Sequence, residues 1–194
     1  MNVADLFLQR YDALYSFWLA DVWTCVPDEL MRRRPHPDVN SIAWIMWHLT
    51  RGEDAGLNRF VTDGKQVLDD GVWMERMNLP WRHHGGGMPS SEVDELNRRI
   101  DLLALRDYSS AVQARTREIV GRLDEVNLDE VMTAERLREI LVHEKLARSD
   151  PESLLKHYLG WSKGKCLMLF GLTHPYQHAG QISIIAKLLG VRFE

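Results

Sequence analysis

The chain has 194 residues, 45% of them hydrophobic and 27% charged, with a formal net charge of −4. The composition is that of an ordinary globular protein, and the length supplies one domain, residues 1–194, with a substantial core. The mild acidity offers no basic field for nucleic acid or an anionic membrane, and no uninterrupted apolar run reaches the roughly 18 residues of a membrane helix.

The opening stretch MNVADLFLQRYDALYSF carries Asp5, Arg10 and Asp12 and lacks the layout of a secretion signal, so a cytoplasmic protein is expected. Helical periodicity starts at once. Leu6, Leu8, Tyr11, Leu14, Tyr15, Trp18 and Leu19 recur mostly at spacings of three and four, which predicts a helix over about residues 3–24, stopped by Pro27. The segment RRRPHPDVNS, with two prolines, reads as a loop. Asn40 or Ser41 then caps a second helix, SIAWIMWHLTRGEDAGLNRFV, whose density of Trp44, Ile45, Met46, Trp47 and Leu49 requires burial.

From about residue 62 to 89 the chain is rich in glycine and turn formers, and little regular structure is expected there: the natural place for a lid or a partner contact. Ser90 or Ser91 caps a third helix predicted to run to about Leu123, with Glu92, Asp94 and Glu95 at its positive end. Residues 129–160 suggest two short helices separated by a turn at Asp150–Pro151. A last helix over about 162–189 ends at Gly190. No strand alternation is sustained, so the fold expected is all-α, a four-helix bundle with an elaborated connection between the third and last main helices.

Cys25 and Cys166 form no CxxC pair and are expected to be buried, unpaired thiols. Metal ligands, if there are any, come from the eight histidines. His174 and His178 lie four residues apart in LMLFGLTHPYQHAGQISIIAKLLG, which places both imidazoles on one helix face, one turn apart. Taken alone, that spacing fits core histidines as well as two metal ligands. His48 sits mid-helix among tryptophans. Three separately buried imidazoles each cost desolvation, whereas one shared cation satisfies a nitrogen of each.

Pro175 lies inside the pair, so the helix either restarts with Thr173 as its cap or bends and continues. His36, between two prolines, and His143 and His157, in charged segments, read as surface residues. His83 and His84 precede three glycines and read as solvated loop residues, with substrate contact beneath a loop the second option. Glu53 lies about 140° round the helix from His48 and points elsewhere, toward Arg51 or another helix, and Asp54 is no better placed. Gln181 shares the face of His178 and could support it or touch substrate. Trp44, one turn before His48, and Trp47 are core residues or pocket walls.

The stretch NSIAWIMWHLTRGEDAGLNRF, followed far downstream by THPYQHAGQISIIAKLLG, resembles the DinB/YfiT-like metalloprotein superfamily. Its pattern is a histidine on the second helix and a later H-x-x-x-H-x-G-Q-I on the last, here His48, His174 and His178. The region 62–165 adds little to the likeness. The resemblance implies a four-helix bundle holding one divalent metal ion per chain, zinc or nickel, on three histidines. It further implies a thiol-dependent S-transferase that joins a low-molecular-weight thiol (bacillithiol, mycothiol or glutathione) to a small electrophile. A metal-dependent hydrolase, an isomerase or a non-catalytic metal-binding stress protein is the alternative.

Three neutral imidazoles leave positions on the ion open to substrate, and the reacting group would be a thiol or a water made acidic there. A homodimer is expected by the same analogy, with a small molecule as substrate and neither nucleic acid nor membrane as partner.

Overall fold

Residues 3–25 form the first long helix, α1, in which Val3–Ala13 passes through a π turn at Leu14–Trp18 into Ala20–Cys25. A capping box starts it: Asn2 accepts the Asp5 N–H while the Asp5 carboxylate accepts the Asn2 N–H. Phe7, Tyr11, Leu14, Tyr15 and Val22 form its buried stripe. This computed structural model describes residues 2–148 and 150–193, apart from the side chain of Glu125.

After a single turn, α2 (Asp28–Arg32), the chain enters α3, Ile42–Ala55, which ends in a π turn at Gly56–Val61. Ser41 caps α3 by accepting the Trp44 N–H at 3.0 Å. Every residue of Ile42–Ala55 is buried, which makes α3 the axis of the molecule. It packs against α2, against α6 and against the last helix, α9, while α1 closes the bundle across α6 and α9.

The predicted third helix is two helices, α5 (Ser90–Arg99) and α6 (Leu102–Gly121), preceded by a turn of helix α4 (Trp73–Arg76). The chain turns extended at Ile100, and Asp101 recaps it by accepting the Ala104 N–H at 2.9 Å. Neither serine caps α5 through its side chain; Pro89 occupies the cap position. The elaborated connection holds α7 (Ala134–Arg138, with a π turn at Glu139–His143) and α8 (Pro151–Tyr158), as the sequence suggests.

Helix α9 comprises Lys163–Met168, a π turn at Leu169–Thr173 and His174–Leu188, and Gly190 beyond it takes φ +83°. Pro175 has no N–H for the carbonyl of Gly171, and the wider π turn just before it accommodates the gap. Thr173 stays helical, so α9 continues through Pro175 rather than restarting.

Two expectations fail, one in the excursion and one at the end of α1. The excursion 62–89 does hold little helix, yet it is not a free lid, because Val67, Leu68, Met77 and Leu79 are buried in the core. Cys25 is exposed where a buried thiol was expected, while Cys166 is buried and both are unpaired. The described residues contain no strand, only an isolated antiparallel bridge between Val131 and Ser162. No helix among them is long and apolar enough to cross a membrane.

Two glycines permit the closest helix contacts. A Cβ on Gly56 would stand 2.1 Å from Phe170 Cγ, and one on Gly171 2.4 Å from Phe7 Cζ. The π turns of α3 and α9 meet at the first of these points. Gly56→Ala is expected to cost about 1–3 kcal/mol by overpacking, despite alanine's better helix propensity. Urea unfolding measures this, and an unchanged midpoint would show that α3 and α9 do not meet there.

Candidate metal centre

His48, on α3, is fixed from two sides. The Trp44 indole stacks on its ring with centroids 4.6 Å apart and planes 11° from parallel, and its Nδ1 hydrogen-bonds the backbone carbonyl of His84. A carbonyl only accepts, so the proton is on Nδ1 and Nε2 presents a lone pair. On α9, His178 Nδ1 bonds the side-chain oxygen of Gln181 at 2.8 Å, which fixes the same tautomer. Gln181 thus hydrogen-bonds the histidine whose helix face it shares.

The two lone pairs converge on the third histidine. His48 Nε2 and His178 Nε2 each lie 3.0 Å from His174 Nε2. One proton on His174 Nε2 could serve only one of them, leaving the other close approach repulsive. His174 Nδ1, meanwhile, is buried with no partner. A cation accepting all three Nε2 lone pairs removes the conflict, at the cost of one unpaired N–H. The ligand atoms of the three residues lie within 4.8 Å of one another. The 3.0 Å contacts are close to the roughly 3.3 Å between nitrogens bound tetrahedrally at 2.0–2.1 Å. His48, His174 and His178 therefore form a largely buried triad that could hold a metal ion, and no cysteine or carboxylate joins that group among the described residues.

Gly52, one turn after His48, makes the convergence possible, since a Cβ there would stand 3.3 Å from His174 Cε1. Burial and the neighbouring imidazoles push His48 down to about 2, and burial with His178 beside it pushes His174 down to about 3. His178 is also lowered, by burial. All three are neutral, the state a ligand requires, throughout the neutral range.

Glu53 points away from the triad, as its angle on the helix requires. Its carboxyl is buried between α1 and α6, where it accepts hydrogen bonds from Tyr11, Tyr15 and Thr116 rather than pairing with Arg51. Arg51 pairs instead with Asp54 at 3.0 Å, and also donates to Tyr108, Gln66 and the carbonyl of Arg82. Asp54 accepts the N–H groups of Val67 and Leu68, anchoring the start of the excursion.

The solvated reading of His83 and His84 is overturned. Both are partly buried: His83 packs edge-on against Trp47, and His84 lies with its ring 5.5 Å from that of His48. Gly85 makes this possible at φ +88°, where a Cβ would be 2.5 Å from Trp47 Cζ3. The glycine run after two histidines was the available signal, since a loop pressed onto tryptophans needs such a residue. Trp47 serves that packing and Trp44 meets the site through the face of His48. His36, His143 and His157 are exposed, as expected.

The model of the DinB superfamily matches residues 19–182. The chain belongs to the DinB superfamily. A crystal structure described as the conserved protein of locus from Enterococcus faecalis shares the fold, with a TM-score of 0.66 over 98% of this chain and 99% of that one at 17% identity. None of the curated proteins matches. At that identity the likeness carries the DinB-like fold alone, and any chemistry has to come from the residues themselves.

Burial first, then the Arg51 charge, also pushes His84 down to about 4. Below the unfolded-state value near 6.5 the unfolded chain binds protons that the folded one refuses, so stability falls as pH falls from about 6.5 to 4. Each such histidine contributes about 1.4 kcal/mol per pH unit. Metal-free His84→Gln is expected to show a slope shallower by about that amount in urea unfolding between pH 6.5 and 5. Equal slopes in the two proteins would place the His84 ring in solvent.

Proposed function

We propose that this DinB protein is a divalent-metal-dependent enzyme joining a low-molecular-weight thiol to an electrophilic small molecule. The observation that carries the reading is the convergence of three Nε2 atoms with no fourth protein ligand among the described residues. Structural zinc is ordinarily closed by four protein ligands, whereas three leave room for a reactant. A divalent ion there, zinc or nickel, would supply Lewis acidity, favouring thiolate over thiol and polarising an electrophile.

The chain's own residues set the conditions for that chemistry. The His84 carbonyl and the Gln181 amide keep the proton on Nδ1 of His48 and His178, leaving Nε2 free to bind. The apolar walls of the cavity beside the triad limit water. Among the described residues no carboxylate lines that cavity, and Glu53 is sequestered on the opposite side of α3. Hydrolysis, the second reading, commonly relies on a nearby carboxylate base; an acidified thiol does not. Cys25 is exposed and Cys166 is held in the core with its thiol pushed up to about 11 by burial, so the reacting thiol comes from outside the chain.

Purified without a polyhistidine tag or chelator, the protein is expected to carry about one divalent ion per chain by mass spectrometry, lost in His48→Ala and in His178→Ala. The loaded protein should then consume bacillithiol, mycothiol or glutathione in the presence of a haloalkane or epoxide, and the variants should not. Failure to take up zinc or nickel would remove the metalloenzyme reading. Uptake with ester hydrolysis but no thiol consumption would replace transfer with hydrolysis.

We also propose a homodimer, because Phe17 and Trp18 of α1 and Ile184 and Leu188 of α9 are large apolar side chains left exposed. Sedimentation should give twice the chain mass, reverting toward one in Trp18→Glu/Ile184→Glu.

A further inference from the structure

Beside the triad lies a cavity of ≈ 80 Å³, bordered by His48 and His174 and otherwise mostly apolar. Its floor is the face of α3 on which Gly52, Ala55 and Gly56 leave almost no side chain. The elaborated connection supplies the far wall: Leu141 from the π turn of α7, Leu146 beyond it, and Tyr158 at the end of α8. Phe60 and Phe170 close the bottom, each packed against the Tyr158 ring.

At about 30 Å³ for a water-sized group, 80 Å³ holds about three carbon atoms. Two polar side chains other than the triad border this space, Tyr158 and His84, and the tautomer of the second is defined. The Gly86 N–H donates to His84 Nδ1 at 3.3 Å, so the His84 proton is on Nε2. That N–H has no acceptor among the described residues, and its ring lines the cavity.

We propose that this cavity receives an aliphatic group of about three carbons on the substrate, with the His84 Nε2–H donating to the polar atom next to that group. The inference rests on the reading of the triad as the reacting centre, since it places the apolar arm next to that centre and the polar atom between them. It assigns substrate choice to Leu141, Leu146 and Tyr158 of the connection between α6 and α9. Water is displaced from an apolar surface by the arm, and each methylene that fits adds to affinity until the space is full. His84 fills two separate roles: its backbone carbonyl orients His48, and its side chain meets the substrate. Replacing the side chain therefore leaves the orienting bond available.

The test uses straight-chain aliphatic hydroxamic acids, from acetohydroxamic to octanohydroxamic acid, titrated by calorimetry into the full-length zinc-loaded protein. Affinity is expected to rise about fourfold per methylene up to a three-carbon tail and to level off or fall beyond it. Leu146→Ala should move the optimum to longer tails, and Ala55→Leu should abolish the dependence on length. His84→Phe should weaken every member about tenfold with zinc content unchanged, and His84→Gln, which keeps an N–H donor, should recover much of that loss.

A flat series in the wild type, or an optimum unmoved in Leu146→Ala, would overturn the proposal. If the protein takes up neither zinc nor nickel, the enzyme reading fails by itself. The cavity is then read with ethanol, 1-propanol, 1-butanol and 1-hexanol on the metal-free protein by methyl NMR. A best fit at 1-propanol or 1-butanol centred on Leu141 and Leu146 supports the cavity assignment, and uniform weak shifts overturn it.

Discussion

On a helix buried around its whole circumference a polar side chain is costly without a partner on its own side, and α3 carries five within seven positions: His48, Thr50, Arg51, Glu53 and Asp54. Each unpaired group would cost on the order of 1–3 kcal/mol, more for a charge. The rest of the molecule is arranged to meet those demands. Glu53 holds α1 to α6 through Tyr11, Tyr15 and Thr116. Arg51 and Asp54 draw in Tyr108 of α6 and both ends of the excursion, through the carbonyl of Arg82 and the N–H groups of Val67 and Leu68. Thr50 returns its hydroxyl to the Met46 carbonyl. His48 faces α9, where two more imidazoles leave close nitrogen contacts that a shared cation would satisfy.

The same helix explains why the three histidines come so close. The approach of α9 depends on the side chains that α3 lacks, at Gly52 under His174 and at Gly56 under Phe170. The π turns accommodate the rest. The one at Leu169–Thr173 widens α9 just before Pro175, so the proline is accommodated without separating His174 from His178. Burial around this contact lowers the proton affinity of the ligands, which keeps them ready for a metal but makes the metal-free protein sensitive to acid.

What could be read beforehand was what depends on local periodicity. The HxxxH pair, the Ser41 cap, the turn before Pro151 and the direction of Glu53 all follow from angles and propensities within a few residues. The break between α5 and α6 escaped because Leu96, Ile100, Leu103 and the residues after them keep a helical apolar pattern across it, and only Asp101 signals a new cap. His84 escaped for a different reason. Its position is set by Gly85 against Trp47 and by the Arg82 carbonyl on Arg51, contacts between segments some 30 residues apart that no local pattern encodes. Cys25 was misplaced because a thiol at the last turn of a helix carries no sign of which way that turn faces.

These two kinds of residue also divide the work at the site. The ligands, their glycine clearances and the Gln181 support sit on α3 and α9, in the two stretches that carry the family likeness. The wall of the adjacent cavity comes from Leu141, Leu146 and Tyr158, in the stretch that carries little of it. Because position 84 meets His48 through its backbone carbonyl and the other support is the Trp44 ring, the side chain at position 84 can change while the bond that orients His48 remains available. The histidines that could hold an ion and the wall of the cavity beside them thus belong to different parts of one fold, so the wall can change in sequence while the geometry of the triad is kept.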